Sequence, residues 1–271
     1  MITRIGGPRQ AAGSRLLGEQ RRSKGAESMS LRSRIALRTR FRRLVFSTFY
    51  RDELTRLCNK YGTDKGTIAH AQHAYSRHYH RAFRHLRDSP ITLLEIGLCA
   101  HTNSRIAPSL AVWRSYFPKA RIIGFDINDF SHIEIYNCTT IQGDSSSRDD
   151  LHELGQINGP FDIIIEDASH ASRHQQVALA SLFPYVRPGG FFCIEDLNWQ
   201  PKDLESGAIP KTRALLRAGH FSSPAITPDE SSYLSEHIDQ IRFFNSWDIG
   251  VGNKDRTDAL AIIQKRAILA A

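Results

Sequence analysis

The sequence predicts an α/β fold: a mostly parallel sheet with helices on both faces and an antiparallel pair at one edge. Three observations predict it. From about residue 51 to residue 195, apolar runs of strand length alternate with segments of helix length, the pattern of parallel strands joined by crossover helices. Several runs end in acids, at Asp126, at Glu166-Asp167 and at Glu195-Asp196, and in open α/β sheets ligands bind beyond the carboxyl ends of the strands. The last two β-rich runs, 240–246 and 258–264, are joined by a Gly-containing connection with no helix pattern, which suggests an antiparallel edge.

The elements follow in order. Residues 68–87 read as a helix, with Tyr75, Tyr79 and Phe83 on one face at i, i+4 and i+8. Ile91–Ile96 is a first buried strand, and 105–117 the helix after it. Arg121–Asp126 is a second strand. Cys138–Gln142 is a third, followed by Gly143-Asp144. Residues 147–155 form a short helix, 161–166 a fourth strand and 171–185 a helix. A fifth strand, 190–195, follows a turn at Pro188-Gly189-Gly190. The Ser-, Pro- and charge-rich segment 200–235 is expected to lie over an acceptor pocket.

The net charge of +8 is concentrated at one end. Residues 1–45 hold twelve Arg/Lys and two Glu, so the remaining 226 residues carry about −2. A near-neutral body excludes a basic nucleic-acid groove. We expect a basic arm over 1–50 and a catalytic domain over 51–271. Met29 opens a clean segment and is the only methionine besides Met1, so 1–28 reads as a gene-model extension. Within 29–50, apolar residues recur at helical spacing between arginines, the pattern of a helix docked on the body or a second subunit. The same pattern suits weak contact with anionic lipid or a transit segment. No run has the length of a membrane span. Cys58, Cys99, Cys138 and Cys193 fall in no zinc or disulfide spacing, which suits a reduced, cytoplasmic protein.

The strand ends describe a ligand. Glu95 and Gly97 close the first strand. Asp126 ends the second, about 30 residues on, where an acid accepts ribose hydroxyls. Asp144 follows the third, near an adenine edge. Asp162, in the fourth strand, is assigned to the cofactor side as well. The turn Gly97-Leu98-Cys99-Ala100-His101-Thr102-Asn103 holds one glycine, whereas a pyrophosphate calls for a Gly-x-Gly-x-x-Gly turn. NAD and FAD are therefore disfavoured. S-adenosylmethionine, a nucleoside without phosphate, fits better.

Asp167, Glu195 and Asp196 offer oxygen only, the donor set of Mg²⁺ or another hard divalent cation. Without a cation, three packed carboxylates would repel one another. His170, three residues after Asp167, stands ready as a base for a hydroxyl acidified by the metal.

These residues resemble the metal-dependent sugar O-methyltransferases of the class I S-adenosylmethionine-dependent superfamily, the group that includes macrolide mycinose-pathway enzymes. The resemblance covers roughly residues 57–266. It rests on Tyr61-Gly62-Thr63-Asp64-Lys65-Gly66 with His73, Tyr75, Tyr79 and Phe83, on Leu94-Glu95-Ile96-Gly97, and on Ser109-Leu110-Ala111-Val112-Trp113. It continues through Gly124-Phe125-Asp126-Ile127, Gly143-Asp144, Glu166-Asp167-Ala168-Ser169-His170 and Glu195-Asp196. It implies a Rossmann-like seven-stranded fold, with Asp167, Glu195 and Asp196 as metal ligands and His170 as catalytic base. Ser109, Asp126 and Asp144 would hold the nucleoside, and Thr63 would belong to a lid. It also implies a sugar or glycosylated small-molecule acceptor and a homo-oligomer. Two departures stand out: the turn after Gly97 lacks the family's further glycines, and Glu166 and Ala168 replace an aspartate and a glycine. A catechol-type O-methyltransferase, or a cofactor-binding protein with degenerate catalysis, are the alternative expectations.

Overall fold

The structure, a computed structural model, describes residues 52–68, 73–98, 106–205, 207–246 and 258–268. The chain divides into two units, Met1–Phe41 and Arg42–Ala271; every described residue belongs to the second. The expectations for the arm, and for the turn beyond Leu98, lie outside the described residues.

Seven strands form one sheet in the order β3-β2-β1-β4-β5-β7-β6: β1 Thr92–Ile96, β2 Arg121–Asp126, β3 Cys138–Gln142, β4 Phe161–Glu166, β5 Val186–Ile194, β6 Ile238–Asn245 and β7 Ala259–Lys265. The first five are parallel to one another. β7 runs antiparallel to both β5 and β6. The helices are α1 Glu53–Tyr61, α2 Ser76–Phe83, α3 Pro108–Tyr116, α4 Arg148–Asn158, α5 Ser172–Leu182, α6 Thr212–Ala218 and α7 Pro228–His237.

Alternation along each strand sends successive side chains to opposite faces, and two cores result. On one face Leu94, Ile123, Ile164 and Phe192 pack with Leu151 of α4 and Leu179 of α5. On the other Leu93, Ile163 and Cys193 pack with Leu54, Tyr79 and Trp113 from α1, α2 and α3. Both faces being covered explains why the parallel strands read as continuous apolar runs.

The structure differs from expectation in three respects. β5 begins at Val186, so Pro188-Gly189-Gly190 lies inside the strand: its pairing with β4 shifts register between Phe161 and Ile163, and Gly189 takes φ +79°. Phe161 and Ile163, two positions apart, pair with Val186 and Phe191, five apart, so β5 bulges by three residues here, with Gly189 at positive φ inside the bulge. The 68–87 helix is shorter, Ser76–Phe83, with a 3₁₀ turn over Arg84–Leu86. Segments 52–62 and 200–235 hold helices that the sequence reading did not assign. Asp52 caps α1 through the Thr55 N–H, and Gly62, φ +79°, ends it. α7 starts at a capping box between Thr227 and Glu230.

Candidate functional site

Register alone assembles the site. Phe125, Ile96, Glu166 and Ile194 lie abreast on neighbouring strands. One residue further, Asp126, Gly97, Asp167 and Glu195 emerge in a row at the carboxyl edge. The gap between β1 and β4, where strand order reverses, is the usual ligand crevice of such a sheet. Gly97 sits in that gap at φ +87°, and a Cβ there would stand 2.2 Å from the Asp167 carbonyl oxygen. Glycine is therefore required on two counts, conformation and the close passage of the β4 turn.

On the β2 side, Asp126 accepts the Leu98 N–H at 2.8 Å through Oδ2, and the Asn128 N–H and Nδ2 at 2.8 and 2.9 Å through Oδ1. A carboxylate has about four acceptor sites, so room for a hydroxyl remains. Asp144 accepts the Ser146 N–H, and Asp150 accepts the Asp144 N–H. Ser109 is buried beside Glu95. Thr63 is buried too, but its hydroxyl faces Cys58 in α1. Asp162 is the misplaced member of the cofactor set. Its carboxylate accepts the Thr92 N–H at 2.7 Å and lies 3.5 Å from Arg187 Nε. That is the amino end of β1 and β4, the opposite edge of the sheet, so Asp162 ties strands together and does not reach the crevice.

On the β4–β5 side the acids converge. Single ligand atoms of Asp167, His170 and Asp196 lie within 4.8 Å of one another, and His170 Nε2 is 3.8 Å from Asp196 Oδ2. His170 and Asp196 both adopt left-handed backbone, φ 58° and 54°, an uncommon state that clusters at functional sites. Asp167-Ala168-Ser169-His170 is not a helix cap. α5 starts at Ser172, and Glu205, far along the chain, accepts its N–H. Ser169 bonds His174 instead. Glu195 lies alongside with its carboxylate turned to other partners: Tyr79 OH donates to Oε1 at 2.6 Å, and Lys65 Nζ is 3.3 Å from Oε2. Tyr75 OH donates to Asp196 Oδ1 at 3.0 Å.

Lys65, Tyr75 and Tyr79 are the site residues the sequence reading left without a role. All three fall in the opening signature, and burial decides their importance. Lys65, only 3% exposed, bonds Asp167 and stands 3.6 Å from Glu95. Trp199 was also missed; its ring meets His170 edge-on at 5.4 Å and is 57% exposed at the mouth.

Crowding of acids shows in their acidity. Burial pushes Glu95 up to about 7 against the pull of Lys65, and pushes Glu166 up to about 8, helped by Asp167. Burial raises Asp196 to about 6 while His73 opposes it, and burial together with Asp167 holds Glu195 well above the carboxylate range. Burial alone would lower the Lys65 ammonium, but Asp167 and Glu195 raise it further, so it stays charged. An oxygen-rich, under-neutralised cluster with an imidazole at its rim fits a hard divalent cation.

No protein-family model matches the chain. It is 39% identical over 146 residues to mycinamicin VI 2''-O-methyltransferase of Micromonospora griseorubida, covering 54% of this chain and 36% of that one. It is 39% identical over 156 residues to demethylmacrocin O-methyltransferase of Streptomyces fradiae, covering 57% and 38%. Among solved structures, the MycE methyltransferase of the mycinamycin pathway, in complex with Mg, SAH and mycinamycin VI, matches with TM-score 0.62 and 29% identity over 80% of this chain and 56% of that one. The chain spans just over a third of the length of the curated relatives it matches, 36% and 38%. Its fold is that of the class I methyltransferases, a seven-stranded sheet with an antiparallel edge pair.

Proposed function

We propose that this chain is an S-adenosylmethionine-dependent O-methyltransferase that uses a divalent cation and acts on a hydroxyl of a sugar or glycosylated small molecule. The observation that carries this is the convergence of Asp167, His170 and Asp196 one strand from Gly97, with Asp126 beyond. It is supported by relatives whose names specify O-methylation, another of them acting on a rhamnosyl-bearing substrate, and by a structural neighbour holding Mg and SAH.

Asp167 and Asp196, with Glu195 beside them, would hold the cation, which when bound fixes a hydroxyl and lowers its pKa. Asp126 and Asp144 would hold the nucleoside of the methyl donor, with Ser109 and Glu95 behind the turn. His170 Nε2 faces the carboxylates, 3.8 Å from Asp196 Oδ2, and would take the hydroxyl proton. With S-adenosylmethionine bound, the oxygen's freed pair would form the new C–O bond as the donor's S–CH₃ bond breaks, the thioether being the leaving group. Alignment of oxygen, methyl and sulfur supplies much of the acceleration.

The test is transfer of labelled methyl to a panel of glycosides and catechols by wild type, His170→Ala and Asp167→Asn, with and without chelator. Glycoside methylation lost by at least about 100-fold in His170→Ala is the expected result. Variants as active as wild type sink the mechanism. Methylation of catechols alone moves the acceptor class, and cofactor binding without turnover on any acceptor marks a catalytically degenerate protein. We also propose a domain organisation of basic arm, 1–50, and catalytic domain, 51–271, in a homo-oligomer located in the cytoplasm, with the arm's charge suited to weak contact with anionic surfaces. Among the described residues no helix is long and apolar enough to cross a membrane.

A further inference from the structure

Lys65 is a buried cation surrounded by acids. Its ammonium bonds Asp167, stands 3.3 Å from Glu195 Oε2 and 3.6 Å from Glu95 Oε1. Glu95 is fully buried and Glu195 nearly so. The position is built in rather than incidental. The Ser76 N–H donates to the Lys65 carbonyl at 2.9 Å, the Ala74 N–H to the Gly66 carbonyl at 3.0 Å, and Asn59 Oδ1 accepts the Thr67 N–H at 2.7 Å. The loop is thereby pinned to α1 and to the start of α2, and the side chain points at the strand ends.

We propose that Lys65 is a resident counter-cation of the carboxylate cluster, competing with the divalent metal for Asp167 and Glu195. This rests on the metal reading above and goes beyond it. Two of the carboxylates assigned to the metal are already occupied by a tethered positive charge. In the metal-free protein that charge keeps the acids together, because like charges at this spacing would otherwise separate or protonate. When a dication enters, it shares Asp167 and Glu195 with the ammonium, and cation–cation repulsion across a few ångströms weakens its hold. Lys65 therefore trades metal affinity for a site that exists before the metal arrives. A purely structural lysine would have no such effect: its loss would loosen the site and weaken metal binding.

The experiment compares full-length wild type with Lys65→Met by Mn²⁺ titration, read by calorimetry and electron paramagnetic resonance, and by melting with chelator present. Lys65→Met should melt lower without metal yet bind Mn²⁺ about tenfold more tightly, about 1.4 kcal/mol. Mn²⁺ binding equal to or weaker than wild type overturns the competition. If Lys65→Met folds only with metal, the double variant Lys65→Met/Glu95→Gln removes one charge of each sign. It should regain metal-free melting and still bind Mn²⁺ more tightly than wild type; failure on either count overturns the inference. If wild type binds no Mn²⁺, the metal reading itself falls and takes the competition with it. If wild type binds and Lys65→Met binds no tighter, that reading stands and only the role of Lys65 falls.

Discussion

Glu95 is where the residue scale is most informative. Its carboxyl is fully buried next to Lys65, and burial raises it from 4.5 to about 7. A pKa raised in this way means that the folded protein keeps a proton the unfolded chain has released. The associated stability is fully present below about pH 4.5 and is lost as pH rises through about 7, up to about 3 kcal/mol. In chelator-treated protein, Glu95→Gln should therefore melt with a shallower decline between about pH 5 and about pH 8 than wild type. Parallel declines in the two proteins would show that Glu95 ionises freely. Much at this scale was legible in sequence, because strand ends obey register: Asp126, Gly97, Asp167 and Glu195 could be placed in one row without coordinates. Asp162 was not. It sits in the same apolar run as Asp167, and which end of a strand a residue occupies depends on where pairing starts. Lys65 was hidden for another reason. A lysine in a polar loop is ordinarily solvated, and only the fold shows that the loop turns inward.

At the element scale, α1, the loop after it and α2 form the shell behind the acids. Lys65, His73, Tyr75 and Tyr79 reach Asp167, Glu195 and Asp196 from this one stretch. The Tyr75/Tyr79/Phe83 face was readable from its period. That its hydroxyls end on carboxylates was not, since periodicity assigns a face and not its contacts. α1 and α7 were masked by polar composition, although Asp52 with Gly62, and Thr227 with Glu230, spell their caps. The opposite edge of the sheet is closed by a different device. Lys265, at the end of β7, donates to the carbonyls of Phe183, Pro184 and Val186 at 3.1, 3.0 and 2.8 Å, tying the antiparallel edge to the end of α5. Lys265→Met keeps the stem but removes three ammonium hydrogen bonds, leaving the Phe183 carbonyl only the Val186 N–H, which should cost about 3 kcal/mol. For a chain of this size that is roughly 6–12 °C of melting temperature. Turnover of the folded variant at low temperature should be unchanged. A stable Lys265→Met, or one that loses turnover while still folded, would refute the separation of the two edges.

For the molecule as a whole, the parallel sheet does two jobs at one edge. β1 and β2 lie on the side proposed for the nucleoside, β4 and β5 on the carboxylate side, and Gly97 lets the two turns touch. The charge plan follows the same division: the strand ends collect acids, whereas the excess of basic residues lies before residue 46. A cluster with Glu95, Asp167 and Glu195 around Lys65, and Asp196 beside it, remains under-neutralised, and the free energy of bringing in a dication would then appear as global stability, because the unfolded chain has no such site. At a free-metal concentration 100 times the dissociation constant, the linkage gives about 2.7 kcal/mol, or roughly 5–11 °C in melting temperature. Mg²⁺ or Mn²⁺ should produce that rise in wild type, while sodium chloride at matched ionic strength should not, since screening acts mainly on exposed charges. Asp167→Asn/Asp196→Asn should abolish the rise, because it removes two of the proposed ligands. A rise that survives in the double variant would place the cation elsewhere on the protein, and no rise in wild type would leave these acids balanced by Lys65 and protons alone.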